Sequence, residues 1–458
     1  MPAIPPALLD RWTAFGQGHV FHNWDGLSDA AQTEFAARLE SVDLPLLKAL
    51  YEKRNDPSAA LPPREYIEPL PVVGAAQIPA SAKAAGERAL WNGEVAALVV
   101  AGGQGSRLGF EKPKGLYPVG PVSGASLFQI HAEKVLALSW KYETDVPLLV
   151  MTSDATHVET VEFFHDENFF GLAESQVKFF RQGTMPALDL ATGRVLMEAP
   201  GKLFLSPNGH GGTLTALQDS GLLAELRGRG VKSLFYFQVD NPLVKIADAE
   251  FVGQHLEARA EVSSKVVFKE RPEEKVGILA LLDGRCGIVE YSDMPAEMLA
   301  ERADDGALAF RAGNPAIHLF DLEFLERITK GEHRLGFHVA KKKVAHFDTL
   351  TDKPVTPTAE NALKFELFVF DALPLAERWL AVQTPREEEF APLKNATGAD
   401  SPDSARALMI AQAHRWLGLP AGSQPVEISP LYALDAEEAK AKIPKGFKPK
   451  EPTYLAAE

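Results

Sequence analysis

Short, uninterrupted apolar runs recur along this chain from residue 95 onward: "VAALVVA", "VPLLVMTS", "VKFFRQG" and "SLFYFQVDN". Between them lie longer segments whose apolar residues repeat at helical spacing, such as "SLFQIHAEKVLAL" and "TLTALQDSGLLAELRGRG". A strand that is apolar on both faces is covered on both, which is the condition of a parallel sheet flanked by helices. The pattern therefore predicts an α/β fold. Ligands of such sheets sit outside the carboxyl ends of the strands. Three segments fall at such ends and are expected to converge on one crevice: the glycine-rich loop after Val100, "SDATH" after Met151, and Asp240 with Asn241 after "LFYFQV".

Residues 1–90 carry helical patterns, "DAAQTEFAARLE" and "LPLLKALYEK", interrupted by the proline-rich "DPSAALPPREYIEPLPVV". This reads as a helical N-terminal segment. Residues 91–380 read as the crevice domain; Asp283 and Gly284 predict a hairpin turn within it, and "NALKFELFVFDALPLAERW" an amphipathic helix at its end. Residues 381–458 read as a small C-terminal domain, rich in Pro, Lys and Glu, with one good helical stretch, "SPDSARALMIAQAHRWLG".

Composition narrows the chemistry. The chain of 458 residues has a formal charge of −15, which argues against broad binding to nucleic acid or an anionic membrane, since both need a dominant basic surface. No apolar run approaches the roughly 20 residues needed to span a bilayer, and no leader pattern opens the chain, so a cytoplasmic protein is expected. Cys286 is the single cysteine; it excludes an intramolecular disulfide and a thiolate zinc cluster within one chain. His318, His333, His338 and His346 lack tight ligand spacing and read as structural.

Any polyanion must then bind in a local basic pocket, and "VVAGGQGSRLGFEKPKG", residues 99–115, is the place for one. Glycines let a backbone approach a bulky anion, and Arg107, Lys112 and Lys114 can neutralise it. Two common phosphate loops are excluded. A Walker A loop needs Lys followed by Ser or Thr, and Lys114 is followed by Gly115. The dinucleotide fingerprint begun at Gly103 requires glycine at 108, which is leucine. What remains is a nucleotide loop of another type.

"VVAGGQGSRLGFEKPKGLYPVG" resembles the signature loop of the sugar nucleotidyltransferases, specifically the UTP-using branch of UDP-N-acetylhexosamine pyrophosphorylases and their UDP-glucose relatives. The similarity continues, in the family's order, through "FFRQGTMPA", "SPNGHGGTLTAL", "QVDNPLVKIADAEFVG", "VEYSDM", "FRAGNPAIHLF", "HVAKKKVAHFD", "KFELFVFD" and "FAPLKNATG". The resemblance implies a Rossmann-like nucleotidyltransferase domain with a mixed, mostly parallel sheet. It implies that UTP and a sugar 1-phosphate give a UDP-sugar, foremost UDP-N-acetylglucosamine, and pyrophosphate with Mg2+ assisting. On it, Arg107, Lys114 and Lys364 hold and polarise the phosphates, and Asp240 binds the metal. Gly102, Gly103, Gly105, Gln182, Gly183 and Gly209 contact the nucleotide, with Gln182 and Gly183 at the uracil edge. His210, Glu290, Asn314 and Lys394 face the sugar. The dense glycines of "PNGHGG" are expected to admit a ligand against the backbone.

Two departures bear on the sugar. His210 stands where the N-acetylhexosamine enzymes typically have Asn, as in the UDP-glucose branch, and "GNPAI" replaces "GNIAN", which is expected to set Pro315 and Ile317 beside the sugar. UDP-glucose, or a broad range of UDP-sugars, is the alternative product. A noncatalytic nucleotide-sugar binding or regulatory protein is the rival of another class, and monomer and homodimer are both open.

Overall fold

A computed structural model describes residues 3–55, 61–330 and 335–457, which divide into two compact units. One comprises Leu61–Arg181, Thr213–Arg334 and Phe370–Glu458; the other comprises Met1–Ala60, Gln182–Gly212 and Leu335–Val369. His333 and part of the proline-rich interruption lie outside the described residues.

The larger unit is built on an eleven-stranded sheet. The apolar runs form its parallel part, in the order Ser233–Gln238, Val95–Val100, Leu148–Thr152, Val177–Arg181. Val95–Val100 and Leu148–Thr152 are buried at every position, as strands covered on both faces must be. The helices Leu127–Lys141 and Ala249–Glu257 supply residues of the same core, Phe128 and Val135 from the first and Phe251 and Val252 from the second. Beyond Ser233–Gln238 the sheet turns antiparallel through His318–Asp321, Val262–Phe268, Ala312–Gly313 and Ile278–Leu282. The expectation of a mostly parallel sheet thus describes the half that carries the glycine-rich loop. The hairpin forms as expected: Ile278–Leu282 pairs with Arg285–Val289, and Asp283 and Gly284 between them have φ of 51° and 74°. Both central residues in the left-handed region match the twist of the flanking strands. Cys286 on this hairpin is 3% exposed, and burial pushes its thiol up to about 12.

The C-terminal stretch adds the strand Trp379–Gln383, parallel to Val262–Phe268, and the helix Pro402–Leu417. That helix begins where its sequence predicts: Ser401 Oγ accepts from the Ser404 N–H, and proline occupies the first helical position.

In the smaller unit the predicted helices appear at Asp29–Glu40 and Leu44–Glu52, capped by Ser28 and Asp43. One prediction fails here. "NALKFELFVFD" forms the strand Ala362–Glu366, paired antiparallel with His338–Lys342, and the 3-10 helix Val369–Leu375 follows it. Leu363 and Phe365 enter an apolar core with Trp12, Phe35 and Leu39, while Lys364 and Glu366 stay half-buried. Sheet pairing and alternate-side burial overrule the helix propensity of Ala, Leu, Lys and Glu.

Candidate functional site

In the larger unit the chain leaves Val95–Val100 and folds back on itself. The Lys114 N–H donates to the Gly103 carbonyl at 3.0 Å and the Gly105 N–H to the Lys112 carbonyl at 2.9 Å, closing residues 103–114 into a loop. Leu108 anchors it in the core, while Arg107 beside it is exposed. Arg107 has no ion-pair or hydrogen-bond partner for its side chain among the described residues, which is the disposition of a cation free to meet an anionic ligand. A Cβ placed on Gly103 would meet nothing within 4 Å, so the backbone there is open to approach.

Lys114 stands opposite Asp240, two residues beyond the end of the strand Ser233–Gln238; its Nζ lies 3.0 Å from Oδ2. Both side chains are 18% exposed, so the pair is partly shielded yet reachable. Ser153, the first residue after the buried strand Leu148–Thr152, donates from Oγ to the Gly102 carbonyl at 2.8 Å. The three strand ends therefore converge as the sequence predicts.

Two of the sugar candidates are also brought together in this unit. The Asn314 N–H donates to the Gly277 carbonyl at 2.8 Å, and a Cβ on Gly277 would lie 3.5 Å from Glu290 Oε1. Asn314 Oδ1 accepts from the Ala316 N–H at 2.9 Å, so part of its role is to fix its own turn. Burial raises the Glu290 carboxyl above the ordinary range; Asp293 adds to this, and Lys394 opposes it. Lys394 itself is exposed. Ile317 does not face a pocket: it is 1% exposed within the main core, so its departure from the family pattern is one of packing.

The smaller unit gathers the remaining candidates around Asn208. Gln182 donates from Nε2 to the Gly209 carbonyl at 2.5 Å, which leaves its second donor and its oxygen. The Asn208 N–H donates to the Gly183 carbonyl, the Leu367 N–H to the Asn208 carbonyl and the Gly211 N–H to the Leu367 carbonyl. The glycines of "PNGHGG" are filled by the chain itself: a Cβ on Gly209 would lie 2.3 Å from the Leu367 carbonyl oxygen, and one on Gly211 2.5 Å from the Phe368 carbonyl carbon. A close crossing of two backbone segments thus requires glycine at 209 and 211, whatever else the segment meets. His210 accepts the Val369 N–H at Nδ1, 3.2 Å away, and its ring lies 5.4 Å from that of Phe368. Lys364 holds its Nζ 5.3 Å from the centre of the Phe204 ring, a cation–π contact.

Sequence reasoning names Ser153 only as part of the strand-end segment "SDATH" and passes over Asn208, His131 and Lys134. Asn208 is a buried amide whose Oδ1 makes no hydrogen bond among the described residues, pressed between Gly183 and Gly212. Its sequence signal was the glycines around it. Nothing local marked His131 and Lys134, which lie in an ordinary helical run.

Comparison with known proteins agrees with this arrangement. Residues 54–418 match the family model described as UTP–glucose-1-phosphate uridylyltransferase. The chain is 34% identical to the probable UDP-N-acetylglucosamine pyrophosphorylase of Dictyostelium discoideum, over 94% of each chain. It is 35% identical to the UDP-N-acetylglucosamine pyrophosphorylase of Saccharomyces cerevisiae, over 88% of this chain and 89% of that one. Among solved structures it resembles the uridine diphosphate N-acetylglucosamine pyrophosphorylase of Trypanosoma brucei, with a TM-score of 0.84 and 27% identity over 100% of this chain and 99% of that one. With loop, strand-end carboxylate and overall likeness in agreement, this chain belongs to the UTP–glucose-1-phosphate uridylyltransferase family.

Proposed function

We propose that the protein is a Mg2+-dependent uridylyltransferase that joins UTP to a sugar 1-phosphate, N-acetylglucosamine 1-phosphate foremost, and releases pyrophosphate. The observation that carries this reading is the Lys114–Asp240 pair at the end of the parallel strands, beside a glycine loop whose exposed Arg107 has no side-chain partner among the described residues. A phosphate oxygen of the sugar forms a bond to the α-phosphorus of UTP as the bond to the β-phosphate oxygen breaks, and pyrophosphate carries away the electron pair. No protein nucleophile is needed, so positioning and charge neutralisation are the catalytic tasks.

Arg107 and Lys114 neutralise charge that builds on the phosphates, and Lys364 is assigned to the same task on the resemblance. Gly102, Gly103 and Gly105 present backbone to the nucleotide; Gln182, Gly183 and Gly209 are assigned to the uridine side. Glu290 and Asn314 orient the sugar, His210 tunes its choice, and Lys394 pairs with its phosphate. Among the described residues no cluster of three His, Cys, Asp or Glu side chains forms a metal cage. Asp240, a single carboxylate at the strand end, still fits Mg2+, which is commonly held by one or two carboxylates together with substrate phosphates. Mg2+ there would supply further neutralisation of the leaving pyrophosphate. No helix of the described residues is long and apolar enough to cross a membrane; the reaction is assigned to the cytoplasm on the sequence reading.

The test is to incubate purified protein with UTP, Mg2+ and a panel of hexose 1-phosphates and follow pyrophosphate release. N-acetylglucosamine 1-phosphate is expected to be the best acceptor; absence of release with every sugar would leave the noncatalytic binding protein as the surviving reading. His210 favours a second product, UDP-glucose. Comparing glucose and N-acetylglucosamine 1-phosphates in His210→Asn decides whether this position sets the preference, and an unchanged activity ratio removes it.

A further inference from the structure

The turn that carries Asp240 is gripped from behind by one helix. His131 and Lys134, three residues apart on Leu127–Lys141, point from the same face. His131 donates from Nε2 to the Val239 carbonyl at 2.9 Å, just before Asp240. Lys134 donates from Nζ to the carbonyls of Pro242 at 2.5 Å and Val244 at 2.8 Å, just after it. The other side of the turn is also held. Asn241 donates from Nδ2 to the Glu389 carbonyl and accepts the Ala391 N–H at Oδ1, and the Leu393 N–H donates to the Asp240 carbonyl.

An irregular turn inside a protein needs partners for its carbonyls, and water or a neutral amide would serve. Burying an imidazole and an amine instead is costly: desolvation pulls His131 down to about 3 and Lys134 down to about 7. Both are spent on one turn, the one whose carboxylate faces Lys114. A displacement of about 1 Å at a reacting group can cost on the order of a hundredfold in rate, so rigidity here has a catalytic use.

We propose that His131 and Lys134 are positioning residues that lock the turn Val239–Val244 so that Asp240 meets the metal and Lys114 in one geometry. This rests on the assignment of Asp240 as the metal carboxylate. Lys134 also lines a cavity of about 610 Å3 between its helix, residues 242–250 and the C-terminal segment. Its side chain can therefore be replaced from solution by a small alkylammonium ion.

The test follows Mn2+ binding to the full-length protein in the presence of UTP by electron paramagnetic resonance, beside UTP affinity measured in EDTA. Lys134→Ala is expected to weaken Mn2+ about tenfold, leave UTP affinity unchanged, and recover with added propylammonium. His131→Leu is expected to weaken Mn2+ in the same way and His131→Gln, whose amide can still donate to Val239, to retain it; this pair decides the matter should Lys134→Ala not fold. Unchanged Mn2+ affinity in the Lys134 and His131 variants, with a loss in Asp240→Asn, overturns the brace alone. Unchanged affinity in Asp240→Asn overturns the metal assignment and the brace with it.

Discussion

At Gly103 the direction in which a Cβ would point is open for 4 Å, whereas at Gly209 the same direction meets the Leu367 carbonyl oxygen at 2.3 Å. Both positions belong to glycine-dense segments that look equally suited to a ligand in the sequence. At the first, the lack of a side chain leaves backbone exposed at the end of a strand. At the second, it lets the protein's own chain cross, and the Gly209 φ of 82° adds a conformation that other residues adopt only with strain. Glycine density therefore signals close approach of something, and at Gly209 and Gly211 the protein's own backbone is one such neighbour.

The contrast makes ordered predictions. Gly209→Ala is expected to destabilise the fold by about 3 kcal/mol in urea unfolding, because it adds a clash to backbone strain. A change within about 0.5 kcal/mol would show that the crossing is loose. Lys114→Ala is expected to lower turnover roughly a hundredfold, in pyrophosphate assays, while unfolding shifts little. Arg107→Ala should lower turnover at least about tenfold with no loss of stability, since its exposed side chain makes no ion pair or hydrogen bond among the described residues; near-normal turnover would show that the reacting phosphates lie elsewhere. Gly103→Ala is expected to change stability by less than about 1 kcal/mol while weakening UTP binding, the reverse of the Gly209 result.

The smallest effect concerns pH. His131 is held neutral, with its folded value near 3 against an ordinary 6.5. Between these values the unfolded chain binds more protons, so its contribution to stability is intact above pH 6.5 and is lost as pH falls toward 3. In His131→Gln the unfolding free energy should fall less steeply across that window.

The parallel half of the sheet was legible because strands covered on both faces show as unbroken apolar runs, and the loops at their ends followed. The strand carrying Lys364 was not, although Leu363, Phe365, Leu367 and Val369 are buried in strict alternation. Its residues are also good helix formers, and only the partner strand His338–Lys342 decides between the two periods. Lys114 facing Asp240 was half legible: each could be placed at a strand end, but a contact between residues 126 positions apart is set by the sheet and not by any local pattern. His131 and Lys134 were illegible, since a polar residue that reaches a distant carbonyl looks in sequence like one that reaches water.

Cys286, sealed in its hairpin, leaves the rest of the surface free of thiol chemistry. A single cysteine introduced at the exposed Ser106 would thus be the one group that a maleimide dye can label in the folded protein. Such a dye would sit on the loop assigned to the triphosphate, and its emission would report nucleotide arrival without a background to subtract.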